Sequence, residues 1–63
     1  MRKARIAVAD LLVADEIVKP SAYPGRVFRV RKVSGRYEIM VQQGADEVTF
    51  IRSDTSTVWI EIP

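Results

Sequence analysis

The sequence predicts an all-β domain, and three observations support this fold class. Residues 26–42, RVFRVRKVSGRYEIMVQ, alternate apolar and polar side chains on both sides of Ser34-Gly35, a dipeptide suited to a two-residue hairpin turn. Residues 47–51 extend this hairpin by a third strand in phase with the second, so that all three strands turn apolar side chains to one face. Residues 58–62 alternate in the same way near the end of the chain.

Length and composition indicate a single domain over residues 1–63. A domain of this size buries only about 60% of its unfolded surface, so it folds alone with little margin. The chain contains no cysteine and no histidine, which removes disulfides and the usual structural zinc site. Two possibilities stay open: a well-packed β-barrel, or a protomer that gains stability by association with itself as a homodimer.

Cysteine usage and hydropathy favour a cytoplasmic protein. A chain without cysteine fits a reducing compartment, and no apolar run approaches the ~18 residues of a membrane span. The first residues are basic and then apolar, as in a secretory signal. Asp10, Asp15 and Glu16 interrupt the apolar stretch, however, so we interpret this segment as a strand.

The first predicted strand covers residues 4–8. Ile6 and Val8 have the alternate spacing of a strand and are β-branched, and no capping residue precedes them. A helix over residues 3–12 is the alternative, because the spacing of the later apolar residues is helical. We expect Asp10 to begin a turn.

The second predicted strand covers residues 16–19, and Pro20 ends its pairing. Pro24 and Gly25 close the loop that follows. Tyr23 lies in this loop, and we expect its ring to fold over the mouth of the barrel in preference to contacting a ligand.

The hairpin register assigns the side chains of the next two strands to faces. Val33 pairs with Arg36 across the turn, and the pairing continues to Phe28 opposite Val41. The inner side then carries Phe28, Val30, Tyr37, Ile39 and Val41. The outer side carries Arg29, Arg31, Val33, Arg36, Glu38 and Met40.

The last two strands follow the same alternation. A polar connector, residues 53–57, joins them in a single turn. Their inward side chains are Val48, Phe50, Val58, Ile60 and Ile62. Ile51 and Trp59 are left facing outward.

About five short strands with one inner face, a long early loop and a short turn before the last strand predict a small SH3-like barrel. The strand after Gly25 is long enough to bend and to serve both halves of such a barrel. An OB-fold is disfavoured, because no helical pattern separates the third and fourth strands.

Residues 8–17, VADLLVADEI, resemble the pattern V-x-D-L-x-V-G-D-x-I that opens many small SH3-like and KOW-like β-barrels. Residues 25–41 also resemble the second and third strands of such domains, and short uncharacterised proteins of this type occur in high-GC bacteria and their phages. The resemblance implies a fold and no activity. Ala14 stands where the pattern has glycine, so the turn there is either of another type or strained by roughly 1 kcal/mol.

The residue types argue against an enzyme. Without histidine or cysteine, general bases and nucleophiles are limited to carboxylates, lysine, tyrosine and hydroxyls, and the carboxylates form no recognisable pair. Asp10, Asp15 and Glu16 could bind a hard cation. We favour the simpler reading that the two aspartates accept hydrogen bonds from backbone amides in their turns. No catalytic residue, cofactor site or metal site is therefore predicted.

Nucleic-acid binding is the second functional candidate. The net charge is only +2, but the basic residues cluster in the hairpin. Arg29, Arg31 and Arg36 share the outer side and suit phosphate contacts, while Tyr23 offers a ring for stacking on a base. Glu38 opposes Arg31 and would cancel part of this charge.

Protein–protein association is the preferred function. Trp59, Met40, Ile51 and Val33 are predicted to face outward, and an apolar strip with a tryptophan, rimmed by arginines, has the composition of an interface hot spot. The alternative is that the N-terminal strand covers this side as a second layer of core. The sequence thus predicts a non-enzymatic interaction module, self-associating or binding another protein, of phage or mobile-element origin.

Overall fold

A computed structural model describes residues 2–63 of the chain. Within this range the chain forms six β-strands and one short 3₁₀ helix at Val8–Asp10. The strands are β1 (Arg2–Ala7), β2 (Glu16–Ile17), β3 (Gly25–Val33), β4 (Arg36–Gln43), β5 (Asp46–Ser53) and β6 (Thr57–Ile62). No helix in this part of the chain is long and apolar enough to cross a membrane.

All six strands belong to one antiparallel sheet in the order β1-β6-β2-β3-β4-β5. The sheet curls into a half-barrel, which confirms the all-β class and is consistent with a small SH3-like barrel. The beginning of β3 pairs with both β2 and β4, so this strand links the two halves of the sheet as the sequence predicted. The curled sheet leaves β1 and β5 at its two edges.

The N-terminal segment is a strand, not a helix. β1 pairs along its whole length with β6, and Ile6 lies opposite Val58. The strand begins and ends slightly earlier than predicted, because Val8 already belongs to the 3₁₀ helix. The backbone N–H of Val8 donates to the carbonyl of Ser56 at 2.9 Å, which ties this turn to the start of β6.

The core is a single apolar cluster inside the curl of the sheet. Its buried members are Val8, Leu11, Ile17, Val27, Ile39, Val41, Phe50 and Val58. Partly buried apolar side chains pack around it: Ile6, Val30, Tyr37, Val48 and Ile60. Burying one such side chain stabilises the fold by roughly 1.5–3 kcal/mol, so a domain this small depends on nearly every member.

The predicted β3–β4 hairpin is present, with Val33 paired to Arg36. Both turn residues have positive φ angles, 50° at Ser34 and 75° at Gly35, as a type I′ turn requires. The pairing of β4 with β5 also matches the prediction, with Ile39 opposite Phe50. The turn chemistry and the alternation together predicted the pairing of β4 with β5 and that of β3 with β4 as far as Arg29.

The prediction for Phe28 was wrong. A β-bulge between Val27 and Arg29 shifts the register, so that Val27 takes the place opposite Val41. Val27 is fully buried, whereas Phe28 is 37% exposed and lies outside the core cluster. An inserted residue of this kind reverses the alternation beyond it, and the sequence pattern alone did not reveal the insertion.

The second strand is shorter than the predicted range of residues 16–19, since β2 ends at Ile17. Val18, the next residue, is still hydrogen-bonded to β6: its N–H donates to the carbonyl of Trp59 at 2.9 Å. The connector before β6 contains one turn closed by a hydrogen bond from the N–H of Ser56 to the carbonyl of Ser53. This agrees with the single turn expected for residues 53–57.

Candidate functional site

The surface of β3, β4 and β5 that faces away from the core is the main candidate site, and we call it the outer face. Opposed residues of antiparallel strands share a face, so the observed pairing defines its members. They are Arg26, Arg29, Arg31, Val33, Arg36, Glu38, Met40, Gln42, Glu47, Thr49, Ile51 and Ser53. Most of these side chains are exposed, while Glu38, Met40 and Gln42 are half-buried.

A shallow cleft lies on the outer face near the hairpin turn. Its volume is about 440 Å³, and its lining residues are Arg31, Val33, Ser34, Arg36, Glu38 and Ile51. Val33 is 47% exposed and Ile51 is 53% exposed, and they are the apolar side chains of the lining. The lining of the cleft therefore combines two apolar side chains with the guanidinium groups of Arg31 and Arg36.

The charges of the cleft are only partly paired. Nη2 of Arg31 lies 3.4 Å from Oε1 of Glu38, and both side chains keep contact with solvent. An exposed ion pair of this kind contributes little to stability. Among residues 2–63, no carboxylate lies within ion-pairing distance of Arg36 or Arg29. These two guanidinium groups remain available for a carboxylate or a phosphate.

The N-terminal strand does not cover the outer face. β1 pairs with β6 at the opposite end of the sheet order. Val8 is buried in the core, and Ile6 packs against that same core. The predicted second layer of core over Val33 and Ile51 is therefore absent from the part of the chain that the structure describes.

Trp59 does not join the cleft. It lies on β6 opposite Arg5, and the ammonium group of Lys3 is 5.7 Å from its ring centroid. Its backbone N–H donates to Oγ of Ser21 at 2.8 Å. The predicted apolar strip is thus divided: Val33 and Ile51 share the cleft, whereas Trp59 belongs to the other half of the sheet.

Met40 occupies an intermediate position. It lies on the outer face between Arg29 and Thr49, but it is half-buried and does not line the cleft. The position of Met40 agrees with the face predicted for it. Because the side chain is half-buried, we expect it to contribute little to a contact with a partner.

Tyr23 packs its ring against the core side of β5, in agreement with the expectation that this loop aromatic folds onto the barrel. Its ring stacks on that of Phe50 with centroids 4.8 Å apart. The guanidinium of Arg52 lies over both rings, 5.4 Å from the centroid of Tyr23 and 5.1 Å from that of Phe50. Phe50 belongs to the core side of the sheet, so Tyr23 lies apart from the outer-face arginines.

Arg52 is the residue that sequence analysis did not single out. It lies opposite Tyr37 and therefore on the same side of β5 as Phe50. The alternation of β5 predicts this side once Phe50 is assigned inward. The aromatic contact with Tyr23 joins two segments distant in sequence, and no local pattern indicates it.

The role expected for the two aspartates is found for Asp15 only. Asp10 ends the 3₁₀ helix and does not begin a turn, and its side chain forms no hydrogen bond within residues 2–63. Oδ2 of Asp15 accepts a hydrogen bond from the backbone N–H of Leu12 at 2.9 Å, which is the role expected from the sequence. Glu16 lies 3.7 Å from Nε of Arg26 across the β2–β3 pair. Residues 2–63 contain no cluster of three potential metal ligands.

The turn from Leu12 to Asp15 also presents exposed apolar side chains. Leu12 is 68% exposed and Val13 is 61% exposed. A local sequence pattern does not separate the residues of this turn from the strand before it, so their exposure was not predicted.

Comparison with known proteins adds no relative, since no protein-family model, no curated protein and no solved structure matches the chain.

Proposed function

We propose that the protein is a non-enzymatic binding module that contacts another protein through the cleft of the outer face. The observation that supports this proposal is the exposure of about half of Val33 and of Ile51 beside Arg36. Val33 and Ile51 lie in the same cleft, so one apolar side chain of a partner can cover both of them. Arginine beside apolar anchors is also the composition enriched at the centre of protein interfaces.

The lining of the cleft supports one kind of partner segment. Its apolar side chains suit an aliphatic or aromatic side chain, and the guanidinium of Arg36 suits a carboxylate, to which it would donate two hydrogen bonds. The partner segment therefore carries an apolar residue next to an aspartate or a glutamate. Each Å² of apolar surface that such a segment removes from water stabilises the complex by about 25 cal/mol.

Selection from a displayed library of random peptides tests this proposal with a defined probe. We expect enriched peptides to combine an apolar and an acidic residue, and we expect Ile51→Ser and Arg36→Ala each to weaken their binding about tenfold or more. Leu12→Ser is the matched control, because it removes an exposed aliphatic side chain outside the cleft. Peptides that bind Ile51→Ser as tightly as the wild type would contradict the proposal.

A weak nucleic-acid contact is the second candidate, because Arg29, Arg31 and Arg36 share one face. Two observations weigh against it: Arg31 is paired with Glu38, and the ring of Tyr23 already stacks on Phe50. Retention on single-stranded DNA at low salt, falling steeply as salt rises, would support this candidate. A chain that is not retained even at low salt would exclude it.

The origin and location of the protein are part of the same proposal. The resemblance of residues 8–17 and 25–41 to KOW-like barrels of high-GC bacteria and their phages supports a phage or mobile-element source. A cysteine-free chain is suited to the reducing cytoplasm.

A further inference from the structure

We propose that two copies of this chain join along their β5 edges, antiparallel, with Thr49 on the two-fold axis. In this register Asp46 of each copy lies opposite Arg52 of the other copy. The inference concerns the edge of the sheet and does not depend on the partner proposed for the outer-face cleft.

β5 has one neighbour in the sheet. It pairs with β4 from Asp46 to Ser53 without a bulge, and no other strand of residues 2–63 pairs with it. An edge of this length and regularity offers a row of free backbone groups to another strand. Natural proteins protect such edges with prolines, bulges and charged side chains, lysine above all. β5 contains no proline, bulge or lysine, and its charged residues are of both signs, so they do not repel every second copy of the strand.

The hairpin turn determines which backbone groups of β5 are free. In a two-residue hairpin the flanking residues, Val33 and Arg36, exchange both of their hydrogen bonds. The bonding alternates along β4, so Tyr37 and Ile39 direct their backbone groups toward β5. The same alternation assigns Gly35 to the residues whose backbone groups point toward β5, and its carbonyl indeed accepts a hydrogen bond from the N–H of Asp54 at 3.2 Å.

The free groups of β5 therefore belong to the residues between those partners, which are Glu47, Thr49 and Ile51. The side chain of Arg52 gives independent support, because its Nη1 donates to the carbonyl of Ile51 at 2.9 Å. That carbonyl points away from β4, and the guanidinium already lies at the free edge. A carbonyl oxygen has two lone pairs, so a partner strand can still bond to it.

The charges of β5 select one register among those that preserve the hydrogen bonds. With Thr49 on the axis, Asp46 faces Arg52 of the second copy, and Val48 faces Phe50 of the second copy. The symmetry repeats each pair, so two opposite-charge pairs form. Both Asp46 and Arg52 lie on the core side of β5, so their side chains meet on one face.

The two neighbouring registers are less favourable. With Phe50 on the axis, Asp46 would face Asp54 of the second copy, and like charges would oppose each other. With Val48 on the axis, Arg52 would face Gly44 of the second copy and would find no carboxylate. The sequence of β5 is thus complementary to itself in one antiparallel alignment.

The other edge of the sheet is protected. β1 carries Arg2, Lys3 and Arg5, all exposed. Two such edges would repel each other, which is a common defence against edge pairing. The β5 contact is isologous and consumes both free β5 edges, so the assembly closes as a dimer.

Charge reversal tests this dimer. Asp46→Arg and Arg52→Asp each place like charges opposite each other twice, and we expect each to weaken dimer formation about tenfold or more in sedimentation equilibrium. The double variant restores both pairs and should dimerise like the wild type. An equimolar mixture of the two single variants should form a heterodimer, detected by native mass spectrometry.

A backbone variant provides the second arm. Thr49→Pro removes an N–H that points to the free edge and leaves the bonds to β4 intact, so we expect a folded monomer. Thr49→Val retains the N–H and should still dimerise. Circular dichroism establishes that both variants fold.

Three results would overturn the dimer. They are a wild type that stays at 7.1 kDa at all concentrations, single reversals that dimerise normally, and a mixture that forms no heterodimer. Larger open-ended assemblies would also contradict it, because they indicate a contact between unlike edges. Peptide binding measured on the same variants, with Arg36→Ala as the cleft variant, separates failure of the dimer from failure of the proposed function.

Discussion

Ala14 has a backbone conformation that alanine rarely adopts. Its φ angle is 81°, in the left-handed region that costs residues with a Cβ about 1–2 kcal/mol. The turn is closed by a hydrogen bond from the N–H of Asp15 to the carbonyl of Leu12 at 3.1 Å. Ala14 is the third residue of this turn, the place where a type II turn requires positive φ and favours glycine. The similar V-G-D pattern has glycine there for this reason.

Replacing Ala14 with glycine should therefore stabilise the fold. We expect Ala14→Gly to raise the free energy of unfolding by about 0.5–1 kcal/mol, because the relief of strain exceeds the added entropy of the unfolded chain. Urea denaturation measures the change. Ala9→Gly is the matched control at an exposed position without positive φ, and it should lower stability. A stability loss in Ala14→Gly would show that the turn is relaxed with alanine.

Among the elements, β3 shows which part of a strand's register a local sequence pattern predicts and which part it does not. Alternation predicted every pair from the turn at Ser34 to Arg29 opposite Met40. Beyond that point Val27 and Phe28 are both large and apolar, so their order along the strand does not decide which one is inward.

Contacts with a distant segment make that decision. The N–H of Val27 donates to the carbonyl of Asp15, and its carbonyl accepts from the N–H of Ala14, both at 2.8 Å. These bonds hold the turn before β2 against the bulge and fix Val27 opposite Val41. Ala14 and Asp15 of the turn thus oppose the single residue Val27 of β3. The same arrangement occurs at a β-bulge whose first residue has a positive φ angle.

Substitutions at the bulge distinguish the two registers. Val27→Ala should lower the free energy of unfolding by about 2 kcal/mol, because it removes buried methyl groups and leaves a cavity. Phe28→Ala should cost less than about 1 kcal/mol despite the larger side chain. Denaturant titration of both variants provides the comparison, and a costlier Phe28→Ala would restore the register predicted from the sequence.

At the scale of the whole molecule, the sequence predicted which face of the sheet a side chain occupies better than it predicted which side chains lie close together. Val33 and Ile51 were assigned to one outer face, and the structure places both in one cleft. Trp59 was assigned to the same strip, yet β6 is separated from β4 by two strands and from β5 by three strands in the sheet order. Alternation tells which side of a strand a residue occupies, but the curl of the sheet decides which residues meet.

The two proposals use different groups of one scaffold, and Ile51 contributes to both, by its side chain in the cleft and by its backbone at the β5 edge. The cleft depends on side chains of the outer face, whereas the dimer depends on backbone groups and charges at the β5 edge. Both require that β4 and β5 bury one face in the core and leave the other in solvent. Both proposals therefore depend on this sorting of side chains.

Two isoleucines on opposite faces of the sheet test this sorting of side chains. Ile39 on β4 is fully buried, and Ile51 on the neighbouring β5 is 53% exposed. Denaturant unfolding of Ile39→Ala and Ile51→Ala, at a concentration where the chain is monomeric, makes the same chemical change on opposite faces. We expect Ile39→Ala to cost about 2–5 kcal/mol and Ile51→Ala to cost less than about 1 kcal/mol. Equal costs, or a larger cost at Ile51, would contradict the assignment of the two faces.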